Sequence, residues 1–401
     1  MRPISGPIAA PVYPAPRAGS PRPARRPTAA AGAVLGNNVK SVDHAATHER
    51  NLSRFASKWA AANILKNHDA ALSKRLSHCG YVARQFEVTL ERKGDTGKAG
   101  FDGLKTCASV WCCPCCSPRI SARRKDELDV LLSGARASGL AVVMLTLTAR
   151  HDRQMKLAPF LDALKGAKRR FRQRREWRGL KPVFVGSVTA TEVTHGRNGW
   201  HPHFHEIAVL DCPPAAALSL IEGLRAAWLA CLHGVGLSGN DAAFQVQSAQ
   251  AAGAYVAKFG AAEELALQGE KRGRNGSRGV WQLLDDARDG CARSAAIWRE
   301  YALAFRGRRQ LVWSPGLKAR FGVGETSDDE AAAEVDPAPP AAEVLRAWAG
   351  AGDRWRSARR RRVALVQAAE AGSSLDAAEY GPTDALRWQL RGGDAVLEPP
   401  E

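Results

Sequence analysis

Three histidines at alternate positions carry the first chemistry of this chain. In "WHPHFHEIAVL" (200–210), His201, His203 and His205 precede an apolar run. On a strand, side chains two residues apart share a face, so the imidazoles project together, about 7 Å apart at the backbone. "VFVGSVTATEV" (183–193) reads as a preceding strand, and "HGRNGW" as the turn between them. If "GRNG" closes a two-residue loop, Glu192 falls opposite His203 or His205, and Asn198-Gly199 is the type I′ signal for such a loop. Two imidazoles and a carboxylate make a three-ligand site with open positions, suited to Mn²⁺ or Mg²⁺ and able to take an anionic substrate. His201 is the alternate third ligand. The competing reading, a polar rim on a sheet edge, leaves covered polar groups unpaired at roughly 1–3 kcal/mol each. His-Glu-x-x-His is absent, which excludes a zincin, and only His233 follows His205, too little for a two-metal hydrolase.

Thiols form the second cluster. Five of the nine cysteines lie in "CASVWCCPCCSPRI" (107–120), and Cys79 lies upstream in "HCGY". Such crowding suits a metal better than a disulfide framework, and implies a reducing cytoplasm. A tetrahedral zinc site takes four thiolates. A Cys-Pro-x-Cys knuckle selects Cys113 and Cys116, with Cys79 and Cys107 completing the set. Cys112 and Cys115 are an equally spaced rival pair.

A nucleophile candidate follows downstream. Tyr255, in "AGAYVAKF", is one helical turn from Lys258, which shares its side. A phenol of pKa about 10 is a poor nucleophile at neutral pH, but a nearby ammonium and a metal-polarised phosphate lower its barrier. A buried core tyrosine is the bland alternative.

These groups need a scaffold. "AVVMLTLTAR" (141–150) is a buried strand with Thr146 and Thr148 on one face. Phe160, Leu164, Ala167 and Phe171 recur at helical spacing beside a dense Lys/Arg face. Ile221, Leu224, Trp228 and Leu232 mark one further helix that stops at Gly234, "AFQVQS" (243–248) alternates as a strand, and "AAGAYVAKFGAAEELAL" reads as a final helix. The order β-α-β-β-α-β predicts an α+β, ferredoxin-like antiparallel sheet with helices on one face.

Composition sets the wider frame. Lys plus Arg is 58 against 40 Asp plus Glu, a formal charge of +18, which favours a polyanionic partner. Runs of 18 apolar residues are absent, which argues against a membrane span. Residues 1–45 read as a disordered Pro/Ala/Arg-rich tail, 46–135 as a Cys-rich zinc-binding region, 136–270 as the catalytic core and 271–325 as a basic segment for DNA contact. Residues 326–401 read as an acidic linker and a basic low-complexity tail. Lys168, Arg169, Arg172 and Arg175 on the basic helix suit phosphate contacts, while "EKRGRNGSRG" and "FRGRRQLVWSPGLKARFG" mix cations, glycine and aromatics as strand-binding segments do.

From about Cys79 to Gly322 the chain resembles the replication initiators of rolling-circle plasmids in the HUH endonuclease superfamily. "MLTLT" (144–148) resembles their first motif, "TEVTHGRNGWHPHFH" and "HFHEI" their second, and "YVAKF" their third. Glu206 departs from the hydrophobic residue usual after the second histidine. The resemblance implies an HUH nickase core with His203 and His205 as the metal pair, Glu192 as third ligand and Tyr255 attacking the scissile phosphate. It favours Cys113 and Cys116 over the rival pair, since similar initiators carry Cys-Pro-x-Cys before the first motif. It also implies plasmid origin DNA, single-stranded or in a hairpin, and host replication machinery such as a helicase as partners. Where some members carry a water-activating Glu one turn before the tyrosine, this chain has Ala251; Glu263 and Glu264 lie downstream. A relaxase or transposase of the same superfamily and a non-enzymatic zinc-dependent DNA-binding regulator are the alternatives.

Overall fold

Helices precede strands in the Cys-rich stretch. A computed structural model of the chain describes residues 44–84, 86–93, 97–248, 277–333, 342–349 and 353–380. Helices α1 (His44–Leu65) and α2 (Ala70–His78) pack together, and the Asp69 carboxylate caps α2 by accepting from the Leu72 N–H at 3.1 Å. Strands β1 (Glu87–Lys93) and β2 (Ala99–Asp102) pair antiparallel. Helix α3 (Cys116–Ala137) starts at the last cysteine of the cluster and buries Ile120, Leu128, Leu131, Leu132 and Ala135.

The core follows in the anticipated order: β3 (Ala141–Leu147), α4 (Leu157–Gln173), the short α5 (Arg175–Arg178), β4 (Phe184–Gly196), β5 (Gly199–Leu210), α6 (Pro214–Glu222), α7 (Arg225–His233) and β6 (Phe244–Ser248). Helices α8 (Val280–Arg288) and α9 (Ala292–Ala304), strand β7 (Leu311–Trp313), and helices α10 (Leu317–Arg320) and α11 (Asp328–Ala333) come next. The sheet runs β6-β3-β5-β4-β7, antiparallel throughout, with β7 added at the β4 edge. Glu300 of α9 closes the start of α4 by accepting from the Leu157 N–H at 2.8 Å.

Four expectations need correction. Helices cover both faces: α4, α6 and α7 bury Phe160, Leu164, Phe171 and Trp228 on Phe204 and Phe244, while α3 sets Leu128, Leu131 and Leu132 against Val188, Ile207 and Val209 on the other side. The single helix ending at Gly234 is two, because Gly223 and Leu224 interrupt it. Pro214–His233 is long and apolar enough by composition to cross a membrane, yet Ile221, Leu224, Trp228 and Leu232 are all buried on the sheet. The β4–β5 turn is not type I′, which requires positive φ at both central residues. Among the described residues Ala108 alone of the non-glycines has positive φ, so Arg197 and Asn198 are excluded, and Gly199 takes it instead at +85°. A Cβ there would sit 2.7 Å from the Asp152 carbonyl oxygen.

The fourth correction concerns the carboxyl-terminal stretch read as linker and tail. Strand β8 (Ala342–Ala349) pairs with β1, and α12 (Asp353–Ala358), α13 (Arg362–Ala371) and α14 (Leu375–Tyr380) pack on that three-stranded sheet around Val88, Leu90, Trp348, Trp355 and Leu365. Arg346 of β8 joins α14 through Glu379 and Asp376, each at 2.5 Å, and the Trp348 indole donates to Glu379 at 2.9 Å. The basic run is thus half internal: Trp355 donates to the Tyr81 carbonyl at 3.0 Å, and Arg362 to that of Gly80 at 2.5 Å. Residues 277–325, expected as a DNA-contact segment, form α8, α9, β7 and α10. Residues 1–43 and 381–401 lie outside the described residues.

Trp355 is the anchor of this arm, 2% exposed and ring-packed on Phe101 at 5.3 Å and Trp348 at 5.6 Å. Trp355→Ala is expected to cost about 3–5 kcal/mol, as large-to-small core changes do. Urea unfolding checks it; a midpoint equal to that of the native chain refutes the docking of this arm.

Candidate functional site

Pairing between β4 and β5 sets Glu192 directly opposite His203, and Ala190 opposite His205. On the other side of β5, Thr146 of β3 faces His205. The Glu192 carboxylate oxygen Oε2 lies 3.1 Å from His205 Nε2 and 3.4 Å from His203 Nε2, and one ligand atom of each residue lies within 4.8 Å of the others. His203 Nδ1 is 3.3 Å from the His201 carbonyl, and His205 Nδ1 is 3.1 Å from the Thr146 hydroxyl. An ion bound among the three groups would take both Nε2 lone pairs, with Nδ1–H donating to these oxygens, the outer-shell arrangement that orients metal-bound histidines. Thr148 donates to the Pro202 carbonyl at 3.0 Å and ties the β3 end to this strand. Burial by itself would raise the Glu192 carboxyl; the His203 and His205 hydrogen bonds outweigh it and hold the group well below the usual carboxylate range. Two imidazoles and a carboxylate fit a divalent ion that also accepts oxygen ligands.

His201, the alternate ligand, stays outside this trio. Its ring stacks on His151 with centroids 4.8 Å apart, and burial lowers its pKa to about 4, which leaves it neutral near pH 7.

Glu206 turns to the opposite face of β5 and is 1% exposed. Lys168 meets it at 2.9 Å, and Arg172 binds its second oxygen. Lys168 also donates to Thr189, the β4 residue paired with Glu206, and Arg172 to the Ser187 hydroxyl at 2.7 Å. Ser187 reaches β7's flank, since its N–H donates to Ser314 Oγ at 2.9 Å. Burial would raise the Glu206 carboxyl, but the Lys168 and Arg172 charges hold it below its ordinary value. The four cations expected on one phosphate-binding face therefore divide: Arg169 and Arg175 are exposed, whereas Lys168 and Arg172 point inward to a buried carboxylate. The sequence carried the signal, a lone acid within an apolar strand, but not its partners 34 and 38 residues upstream.

The thiols resolve into one set. Cys79, Cys107, Cys113 and Cys116 are buried, with Cys79 Sγ 3.3 Å from Cys116 Sγ and 3.7 Å from Cys113 Sγ, and Cys107 Sγ 3.7 Å from Cys116 Sγ. Cys112 points elsewhere, and burial pushes its thiol up to about 12. Cys115 lies beside the Arg54 carbonyl, outside the foursome. Burial also raises the Cys113 thiol, so four ionised sulfurs here require a cation. Convergent sulfurs of this number suit a tetrahedral ion such as Zn²⁺. A fully buried Lys58 supports that charge: its ammonium donates to the Cys79 carbonyl at 2.7 Å, and Arg75 donates to that of Cys107. Cations beside a tetrathiolate, here buried Lys58 and exposed Arg75, offset the net negative charge that such a metal site keeps. Tyr255 and Lys258 lie outside the described residues.

Residues 102–212, from the end of β2 to just past β5, match the family model of replication proteins. The chain is 26% identical to a "Protein rep" of Streptomyces lividans over 352 aligned residues, covering 69% of this chain and 77% of that one. It is 31% identical over 136 residues to a "Neomycin resistance protein" of Streptomyces cyanogenus, covering 27% of this chain and 31% of that one. No solved structure matches. The matched span contains Glu192, both histidines and three of the four converging thiols.

Two outcomes follow for this site. Purified Cys113→Ser should lose one equivalent of bound metal by elemental analysis while Cys112→Ser keeps it; equal content in both variants would exclude the foursome. Glu206→Ala strands two half-buried cations and should cost about 3 kcal/mol in chemical unfolding, whereas a change below about 0.5 kcal/mol would show that Lys168 and Arg172 do not depend on it.

Proposed function

We propose that this Rep-type plasmid replication protein nicks one strand of its origin at a metal centre held by Glu192, His203 and His205, with Tyr255 as nucleophile and Lys258 as its supporting cation. The observation that carries the reading is the convergence of those three ligand groups on adjacent strands, inside the span matched by the replication-protein family. An ion held there, Mn²⁺ or Mg²⁺, would supply Lewis-acid polarisation of the phosphate. Thr146 and the His201 carbonyl orient the imidazoles. The Tyr255 phenolic oxygen attacks the phosphorus, the bond from phosphorus to the 3′ oxygen breaks, and that oxygen leaves as a 3′ hydroxyl after gaining a proton; the phenol's own proton goes to solvent base. One phosphodiester replaces another, so attack by a 3′ hydroxyl on the phosphotyrosine rejoins the strand without an energy source.

Chain length permits this arrangement. Ser248, the last residue of β6, pairs with Val143, three positions along β3 from Thr146, about 10 Å. Seven Cα steps then lead from Ser248 to Tyr255, a reach of up to about 24 Å. The 3′ hydroxyl would prime synthesis by the host replication machinery, such as a helicase and polymerase, in the cytoplasm. Single-stranded or hairpin origin DNA is the substrate, exposed Arg169 and Arg175 are phosphate contacts, and the four thiols hold a structural Zn²⁺. A non-enzymatic DNA-binding regulator would leave the trio of ligands without a role.

Incubation of a 5′-labelled and a 3′-labelled origin oligonucleotide with Mn²⁺ tests the proposal. The 3′-labelled fragment should become covalently attached to the protein at Tyr255; Tyr255→Phe should abolish the adduct and His203→Ala should reduce it at least a hundredfold while lowering Mn²⁺ affinity. An undiminished adduct from Tyr255→Phe rejects the nucleophile.

A further inference from the structure

Where the carboxyl-terminal arm closes on the thiol-bearing module, a cavity of about 310 Å³ opens between α1, α3, the β1–β2 hairpin and α13. Its cations come from all of these parts: Arg54 from α1, Arg84 and Lys105 flanking the hairpin, Arg119 from α3 and Arg362 from α13. Asp102 is the one acid among its lining residues. Arg84, Lys105 and Arg119 are exposed, and among the described residues none of the three forms an ion pair. Arg362 is committed inside, its guanidinium 3.3 Å from the Phe55 ring centre and bonded to the Gly80 carbonyl. It makes a cationic floor, and Phe101, Leu104 and Val366 make apolar walls.

We propose that this cavity is a second DNA-binding site, away from the nicking centre, that takes one phosphate with its nucleoside from an unpaired stretch of the origin. It rests on the reading of the protein as an origin-binding initiator. Charge selects the ligand class: Arg84, Lys105 and Arg119, which have no acid beside them in an ion pair although Arg119 donates to the Ala332 carbonyl at 3.3 Å, attract an anion to the concave site and release its counterions. Volume limits the size, because about 310 Å³ is at the lower end for small-ligand pockets, enough for a single nucleotide and too little for a duplex. The mixture of cations and flat apolar wall matches a phosphate and a base, as single-strand grooves do. An acidic peptide would use the cations and leave the apolar wall unfilled.

The test uses the full chain with a fluorescein-labelled dT12 strand, followed by anisotropy between 50 and 200 mM salt. Arg84→Gln/Lys105→Gln should weaken binding about tenfold at 100 mM salt and reduce the slope of log K against log salt by about 1.4, as expected for two lost single-strand phosphate contacts. Lys66→Gln, an exposed cation outside the cavity, should change neither. Bromodeoxyuridine-substituted dT12 should crosslink to residues 99–106 on the native chain, a readout independent of whether the double variant folds. Unchanged affinity and slope in the double variant, or crosslinks confined to other residues, overturn the proposal. Displacement of dT12 by free dTMP at equal phosphate concentration would make it a free-nucleotide site and overturn the strand assignment; equal displacement by polyglutamate would reduce it to a charge patch. Failure of the nicking reading is distinguishable, since the native chain would then form no adduct with Mn²⁺ while the double variant still lost dT12 affinity.

Discussion

The β4–β5 register is the constraint on which the candidate centre depends. Gly196 pairs with Gly199, and from that closure Glu192 meets His203. A slip of one residue along β5 would move every side chain of that strand to the opposite face, which would turn His203 and His205 away from Glu192 and bring Glu206 out from its cations. The two faces lock one another. Val193 and Trp200 are buried in the core that includes α8 and α9, and Glu206 is pinned to α4 by Lys168 and Arg172. A buried carboxylate with two cationic partners tolerates no alternative register, because any slip would leave three charges uncompensated.

The same logic governs the charge of the molecule. A formal +18 invites the view that every basic run faces a polyanion. Yet Lys168 and Arg172 neutralise Glu206, Lys58 and Arg75 sit on carbonyls of the thiol ligands' own backbone, and Arg346 binds Glu379 and Asp376. These cations are structural. The surface field is carried by others, such as Arg169, Arg175, Arg84 and Lys105, which are exposed. Composition thus overstates how many of the 58 basic side chains can meet a phosphate and says nothing of which ones do.

What the sequence disclosed was local. Alternation placed the histidines on one face, the short turn bounded the register to two choices, and cysteine spacing left two rival pairs, of which the family resemblance favoured Cys113 and Cys116, the pair that converges with Cys79 and Cys107. Helical periodicity found Phe160, Leu164 and Phe171, which are buried as expected. The illegible parts all involve partners distant along the chain. Strand β7 is three residues long, too short for any period, and belongs to the sheet only because β4 has a free edge for it. Nothing in "LAPFLDALKGAKRRFRQRREW" says that two of its cations share a carboxylate with β5. The turn type was misjudged because Asn-Gly permits positive φ without requiring it, and the approach of the Asp152 carbonyl, visible only in three dimensions, selects Gly199.

The carboxyl-terminal arm shows the same limit at the largest separation. Its tryptophans lie among arginines, so a window of composition reads as low complexity, although Trp348, Trp355 and Leu365 form one buried cluster with Val88 and Leu90 more than 250 residues away. Strand β1 has β2 on one side alone without it, and a two-stranded ribbon is marginal in water; β8 supplies the third strand and α13 the covering face. Because Arg362 of that arm bonds to the Gly80 carbonyl, next to Cys79 of the four convergent thiols, order in the arm and order at the thiols are coupled through one peptide unit. Removal of an ion held by these thiols should therefore loosen β8 and its helices together with the cysteine loops, and docking of the arm should in turn tighten the hold on such an ion, since linkage between two such events is reciprocal.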